Sequence, residues 1–458
     1  MGDELHRSVK LAMDTGEATS VAAAKQIFEG YRLKINIGDD VARSPTLQSA
    51  LLTAVNTGRR CFLGGVEVVG NSEGDLLVPW QNCRTIGEAV TDLQGTPVNI
   101  GTPGLPQVVI GDSDDIDSDS KFAVRATFNG WCGGVVPLDD GRRLPEKQEC
   151  TPAGVLAGAL AVSEAFQFAR GKNAQAGKRV VGLSLWQPEL ESSWLDAHEP
   201  GPLLEHLPAR LWLIGLGHLG QAYLWTLGFL PYRDPKEVLL VLQDYDSLVL
   251  ANDSTSLLTS REAIGQKKTR KVANWCEQRG FRTQIQERRF MANFKIDNEE
   301  PCVALCGVDN EVARAALEEV GFTQVIEAGL GNGTEEYLAF QMHCFPGSRS
   351  ARTHWEKAAN TQSLTPPIIN QPAYQALIET GLDQCGLTTL ANRSVGASFV
   401  GASVAAIVVA ELLRMAIGSH RYEVIDGSLR CLSYRRVIAS EVLTYPFNPG
   451  LTTAQISE

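Results

Sequence analysis

Arg210-Leu211-Trp212-Leu213-Ile214-Gly215-Leu216-Gly217-His218-Leu219-Gly220 is the stretch on which the fold turns. A short apolar run enters the spacing Gly-x-Gly-x-x-Gly, and a helical pattern continues over 221–227. An apolar run bounded by a glycine turn reads as a strand buried on both faces of a parallel sheet. The glycines allow a tight turn and a close backbone approach, and the helix behind them offers free N–H groups to an anion. By itself the spacing fits NAD, FAD and ATP equally well.

Outward from there the pattern repeats. Apolar runs recur at 238–242, 301–306 and 323–327, with helix-like segments at 266–279 and 311–320 between them. Strands alternating with helices predict an α/β fold with a doubly wound, Rossmann-like sheet. Upstream, 186–202 is polar and Pro-rich, as a linker would be. A boundary at 190–206 divides the chain into 1–205 and 206–458. Two or three domains suit 458 residues.

The first half carries less signal. A helical region at 4–31, strand candidates at 61–69 and 107–112, and a helix at 153–168 are expected, and no glycine fingerprint occurs there. One echo links the halves. Ala159-Leu160-Ala161-Val162-Ser163-Glu164 and Ala406-Ile407-Val408-Val409-Ala410-Glu411 share the pattern Ala-x-x-x-small-Glu, each in a long Ala-rich helix. The first half is therefore expected to be a related nucleotide-type fold that has lost its phosphate loop.

Bulk composition narrows the classes. The chain is 44% apolar and 21% charged, with a net charge of −12. That balance argues against a general nucleic-acid binder, which needs clustered Lys and Arg. The apolar stretch 395–413 contains Ser398, Ser403 and Glu411 and ends in Arg414, so it reads as a buried helix and no membrane span is expected. The N-terminal residues lack the apolar run of a signal peptide. Ten scattered cysteines without a CxxC pair give no zinc signature, and reduced thiols in a cytoplasm are expected.

The residues downstream of the glycines carry the chemistry. Asp244 stands 24 residues after Gly220, in reach of a ribose hydroxyl, and Asp246 comes two residues on. Asn252, Lys268 and Asp309 then occur at loop positions suited to the carboxyl edge of the sheet. A triphosphate needs a cation and a carboxylate for Mg²⁺, whereas a nicotinamide needs neither. Among the cysteines, Cys385 stands out. It lies in the polar segment Leu382-Asp383-Gln384-Cys385-Gly386, after Thr365-Pro366-Pro367 and before a helix starting near Ser394. A thiol near a helix N-terminus can have a lowered pKa. Cys344 is the second candidate. The long connection 348–393 reads as irregular, and such loops are usually functional.

Taken together, GLGHLG, QDYDSLVLAND, AIGQKKTRKV and CGVDNEVARAAL resemble the E1/ThiF/MoeB superfamily of adenylating enzymes. The resemblance covers 206–458. It implies that Gly215, Gly217 and Gly220 form the phosphate loop, with Asp244 on the ribose and Asp246 beside it. Asn252 matches the family amide. Lys268 matches the phosphate lysine, with Lys267 the alternative, and Asp309 the Mg²⁺-associated acid, with Arg314 behind it. The chain departs from the family at one place. The family has Asn-x-x-Arg-Gln where this chain has Asn252-Asp253-Ser254-Thr255-Ser256, so Thr255 replaces a triphosphate-binding arginine. Arg261, or Arg59 or Arg60 from the first half, are candidates to replace it.

The segment Asp383-Gln384-Cys385 before an Ala-rich helix resembles the catalytic-cysteine segment of autophagy-type E1 enzymes, with 348–393 as the crossover. The resemblance implies ATP and Mg as cofactors, adenylation of the C-terminal tail of a ubiquitin-like protein, and thioester capture on Cys385 for an E2-like partner. It also implies an inactive adenylation-like first half, and a further homodimer remains open. Compact E1 proteins of bacterial ubiquitin-like operons, several linked to phage defence, are the nearest kind. A sulfur-carrier adenylyltransferase without a thioester, an NAD-dependent oxidoreductase and a non-catalytic adaptor stand as alternatives.

Overall fold

The computed structural model describes residues 2–190, 193–196, 199–359, 368–441 and 445–455, with the side chains of 357–359, 384 and 385 outside that set. The chain opens with two helices, α1 (Arg7–Asp14) and α2 (Val21–Glu29). Seven strands make the first sheet: β1 (Leu33–Ile37), β2 (Val66–Val69), β3 (Thr96–Val98), β4 (Gln107–Ile110), β5 (Ala123–Asn129), β6 (Cys132–Pro137) and β7 (Val181–Ser184). Helices α3 (Pro45–Gly58), α4 (Ile86–Asp92) and α5 (Thr151–Arg170) connect them.

After a short strand β8 (His206–Pro208), a second sheet is built from β9 (Arg210–Ile214), β10 (Leu239–Gln243), β11 (Arg282–Gln286), β12 (Val303–Cys306), β13 (Gln324–Leu330), β14 (Ala339–Phe345), β15 (Tyr422–Ser428) and β16 (Arg436–Ala439). Its helices are α6 (His218–Leu227), α7 (Lys268–Glu277), α8 (Glu311–Ala315), α9 (Gly333–Glu336), α10 (Ala351–Ala359), α11 (Pro372–Glu379), α12 (Gln384–Ala391) and α13 (Ser398–Ala416). Strand β17 (Leu451–Thr453) pairs with β8.

The two sheets have the same strand order. The first runs β3-β2-β1-β4-β5-β6-β7 and the second β11-β10-β9-β12-β13-β14-β15, with β16 added at the edge. In each, the first five strands are parallel and the later ones antiparallel. Strands β1 and β9 hold the same position, where the chain turns from one side of the sheet to the other. In open α/β sheets ligands bind at such a switch point, beyond the carboxyl ends of the strands.

Helices α5 and α13 form the centre. They are long and apolar enough to cross a membrane, yet their residues are almost all buried inside the protein, as core helices are. Close approach requires the glycines. A Cβ on Gly158 would lie 2.2 Å from the carbonyl oxygen of Ala50 on α3. The echoed glutamates do the same work in both helices. Glu164 pairs with Arg179 at 2.7 Å and accepts the N–H of Gly177. Glu411 pairs with Arg414 and accepts the N–H of Tyr422. Each is a buried charge balanced by an arginine and a backbone donor, as burial demands.

Some sequence expectations need correction. The strand expected at 61–69 starts only at Val66, because Cys61 and Phe62 close the end of α3 through bonds to the Gly58 carbonyl. The helical region expected at 4–31 holds α1 and α2. The connection 348–393 is not irregular: α10, α11 and α12 fall within it, and 360–367 lie outside the described residues.

Candidate functional site

Strand β9 delivers the glycine loop to the switch point, and each glycine has its own reason. Gly215 adopts φ +82°, and a Cβ there would press on Val308 at 2.8 Å. A Cβ on Gly220 would lie 1.9 Å from the Gly215 carbonyl, so the first turn of α6 packs back on the loop only without a side chain. Gly217 is the N-cap of α6, and a Cβ there would meet nothing within 4 Å. The space beside Gly217 is thus open, at the end of a ten-residue helix whose first N–H groups have no helical partner.

The acids and the lysine of the next loops converge on it. Asp244, at the end of β10, accepts the N–H of Leu216 at 2.7 Å and that of Asp246 at 2.9 Å. Lys268 begins α7 and places Nζ 2.8 Å from Asp246 and 3.8 Å from Asp244. The Lys268 side chain is 11% exposed, so its charge is held against the two carboxylates at the edge of the loop. Lys267 points elsewhere, donating to the Tyr245 carbonyl.

On the far side, Gly307 and Val308 after β12 lean on the glycine loop; a Cβ on Gly307 would sit 2.8 Å from Leu219 Cβ. Asp309 comes next and is exposed. Arg314 is turned away from the opening. It donates to the carbonyls of Val308 (2.7 Å) and Ala328 (3.2 Å) and lies against the Trp355 ring.

The segment after Asp246 accounts for the missing arginine. Asn252 uses its side-chain oxygen on the Val249 N–H, in a turn. The expected substitutes for Thr255 gather instead at Asp253: Arg59 at 3.1 Å, Arg60 at 3.5 Å and Arg261 at 3.6 Å. Arg59 and Arg60 also donate to backbone carbonyls, and Arg60 is wholly buried, so neither presents a free charge to the loop.

A different arginine reaches the gap. Arg7, on the first turn of α1, donates its N–H to Ser254 Oγ at 3.1 Å. A Cβ built on Gly396 would find Thr255 Cγ2 at 3.2 Å, Arg7 Cβ at 3.9 Å and His218 Nδ1 at 4.0 Å, which puts all three around one point. Burial lowers the Arg7 pKa; Arg393 also lowers it, while Asp3 and Asp309 raise it. Its Nη1 is buried without a hydrogen-bond partner. Arg7 lies more than two hundred residues from the glycine loop in sequence, and no motif announces it. Only the departure at Thr255 draws attention to the place where it packs.

Of the nucleophile candidates, Cys344 is excluded by its surroundings. It is 2% exposed in β14, and burial pushes its thiol well above the ordinary range. Cys385 is the second residue of α12, whose N-cap Asp383 accepts the Gly386 N–H; its side chain lies outside the described residues. Among the described residues no cluster of three or more His, Cys, Asp and Glu could hold a metal. Two surface clefts lie away from the glycine loop. One of about 430 Å³ is lined by Asp40, Arg43, Arg143 and Glu149. The other, of about 630 Å³, runs along the ends of β13, β14 and β15.

The chain matches known proteins over both sheets. Residues 207–419 match the family described as the BilD C-terminal domain, and 32–185 the BilD N-terminal domain. It is similar to the bacterial E1-like protein BilD of Collimonas sp. (strain OK412), with 44% identity over 428 residues, 93% of this chain and 92% of the relative. Among solved structures it is similar to E. coli MccB with MccA-N7isoASN (TM-score 0.34, 11% identity, 51% of this chain and 65% of that one). It is also similar to PaaA (TM-score 0.33, 14% identity, 50% and 72%) and TcdA (TM-score 0.29, 12% identity, 46% and 86%). The two family matches fall one on each sheet, and the identity runs through almost the full length of both proteins. By that measure the chain belongs to the BilD family of bacterial E1-like proteins.

Proposed function

We propose that the chain is an ATP-dependent adenylating enzyme that activates the C-terminus of a ubiquitin-like protein. The observation that carries this is Lys268 Nζ held between two acids at the edge of an open glycine loop, with the Arg7 guanidinium close enough to Asp309 on the other side for their charges to interact. A dinucleotide site has no use for two cations and an exposed acid there, whereas a triphosphate does. In this scheme the α6 N-terminus and the loop amides take the phosphates, Asp244 and Asp246 face the ribose, and Lys268 leaves Asp246 for phosphate oxygens. Asp309 is one exposed carboxylate beside the loop, which suits Mg²⁺, an ion commonly held by one or two carboxylates together with substrate phosphates. Such an ion would neutralise phosphate charge, and Asp309 would be its protein ligand.

In the reaction, a carboxylate oxygen of the carrier attacks the α-phosphorus, the α–β phosphoanhydride breaks and pyrophosphate leaves. The cleft along β13–β15 opens on the same carboxyl edge of the sheet as the glycine loop, and it would take the carrier's extended tail. Cys385 then attacks the acyl carbon and AMP leaves, keeping the carrier as a thioester for an E2-like cysteine. The first half acts as an inactive adenylation-like partner, dividing the chain near 205. The E1-like description of the relative supports a bacterial conjugation pathway. A cytoplasmic setting, pairing of two chains and a role in phage defence go with that reading.

ATP–pyrophosphate exchange with candidate carriers tests the first step. Exchange is expected from the wild-type chain and from Cys385→Ser, with a reductant-sensitive adduct from the wild type alone. A reductant-sensitive adduct that survives Cys385→Ser would remove the thioester from this residue, whereas a reductant-resistant one is the serine ester expected at the same position. Exchange in both chains with no adduct in either would favour the sulfur-carrier scheme.

A further inference from the structure

The loop between Asp246 and α7 is gripped from the other half of the chain. At the end of α3, the Arg60 guanidinium donates through Nη2 to the carbonyl oxygens of Ser256 (2.9 Å), Leu257 (3.0 Å) and Thr259 (3.0 Å). Asn56, one turn earlier, donates Nδ2 to the Leu257 carbonyl at 3.1 Å. The opposite side of the same loop is held by Gln221 of α6. Its Oε1 accepts the Leu258 N–H at 2.9 Å and the Thr259 hydroxyl at 3.1 Å, and its Nε2 donates to the Leu216 carbonyl at 3.0 Å. Leu216 is inside the glycine loop. A continuous line of hydrogen bonds therefore runs from Arg60 through Thr259 and Gln221 to the loop itself.

Burying a guanidinium is costly unless strong partners compensate. Arg60 is 1% exposed, and its nearest carboxylate, Asp253 at 3.5 Å, is shared with Arg59 and Arg261. An apolar side chain would serve a mere interface better. What a planar fork offers is two separated nitrogens, Nη2 on the three carbonyls and Nη1 turned to Asp253 at 3.5 Å, whereas an ammonium has one nitrogen and cannot span both.

Resting on the ATP reading above, we propose that Arg60 is a positioning residue of the first half that sets the phosphate loop of the second, acting through 256–259 and Gln221. The first half thus contributes to nucleotide binding without touching the nucleotide through this residue.

The test is calorimetric titration of the full chain with MgATP, read beside its thermal unfolding. Arg60→Lys is expected to weaken ATP binding about tenfold, the scale of coupling carried by such networks. Trp80→Ala is the control. Trp80 packs edge-on against Trp225 across the same two halves, 5.7 Å between ring centroids, and makes no bond to 256–259. That variant is expected to lower the melting temperature and leave ATP affinity unchanged. Unchanged affinity in Arg60→Lys, or equal weakening in both variants, overturns the proposal. Should Arg60→Lys fail to fold, Asn56→Ala decides: weaker ATP binding supports the proposal and wild-type binding overturns it. A wild-type chain that binds no ATP overturns the parent reading and this one with it, and is told apart by the wild-type titration alone.

Discussion

The two switch points of this chain share a strand order and differ in what occupies them. At β9 the loop is short, Gly217 faces open space, and the first N–H groups of α6 are left for a ligand. At β1 the equivalent ground is taken by the protein's own anions. Asp40 accepts the Asp112 N–H at 2.8 Å and pairs with Arg143 at 2.7 Å. A Cβ on Gly38 would lie 2.3 Å from Asp112 N, so the turn itself is closed, and the cleft of about 430 Å³ next to it is lined by Asp40 and Glu149. At the N-terminus of α3, Glu149 accepts from Ser44 Oγ (3.0 Å) and the Thr46 N–H (2.9 Å). The same dipole and the same free amides that would draw a phosphate are satisfied by internal carboxylates. The fold alone therefore does not decide whether a switch point binds; the side chains filling it do.

The contrast can be broken most severely at Gly220. Gly220→Ala drives a methyl group to within 1.9 Å of the Gly215 carbonyl. ATP binding is expected to fall by about a hundredfold or more through misplacement of the loop, with a stability loss of about 1–3 kcal/mol; titration and urea unfolding measure the two.

A second effect concerns acid. Burial pushes both His218, inside the glycine loop, and His6, near Asp253 and Arg60, down to about 4. Unfolded imidazoles titrate near 6.5, so between 6.5 and about 4 the unfolded chain binds more protons and stability falls as pH falls. The loss at pH 5 is on the order of 2 kcal/mol for each histidine. Urea midpoints at pH 7 and pH 5 should show it, and His218→Gln should remove about half. A flat profile in the wild type would mean that these rings are not buried as described.

The smallest effect sharpens the contrast from the other side. Asp40→Ala takes the acceptor from the Asp112 N–H and one of three carboxylates from Arg143, which keeps Glu146 and Asp112, a cost of about 0.5–1.5 kcal/mol. ATP affinity is expected to stay at the wild-type value, and a clear fall would show that the filled switch point communicates with the open one.

Sequence reveals structure where the signals are local. The β9 loop is legible because an apolar run and three glycines lie together. The echo around Glu164 and Glu411 is legible because each glutamate sits at a fixed place in an apolar helix and meets its arginine nearby in the chain. Strands β14–β16 alternate apolar and polar residues, which is a strand signal, but they escape a reading built on apolar runs followed by helices, because they are antiparallel and join without a βαβ crossover. Helices α10–α12 look like loop because they are short and separated in the sequence by Pro366, Pro367 and Gly381. Arg7 and Arg60 are beyond reach in another sense. Their partners are more than a hundred and ninety residues away in sequence, so only the folded chain joins them. The departure at Thr255 is still informative, because it directs attention to the part of the fold where Arg7 packs.

One consequence concerns dilution. Arg60 and Arg7 reach the second half from residues on the same polypeptide, so their bonds form at an effective concentration set by chain connectivity, not by how many molecules share the solution. A site assembled from two separate subunits comes apart when its components become scarce. Here scarcity inside a cell would lower the number of working sites without lowering the fraction of chains that have one.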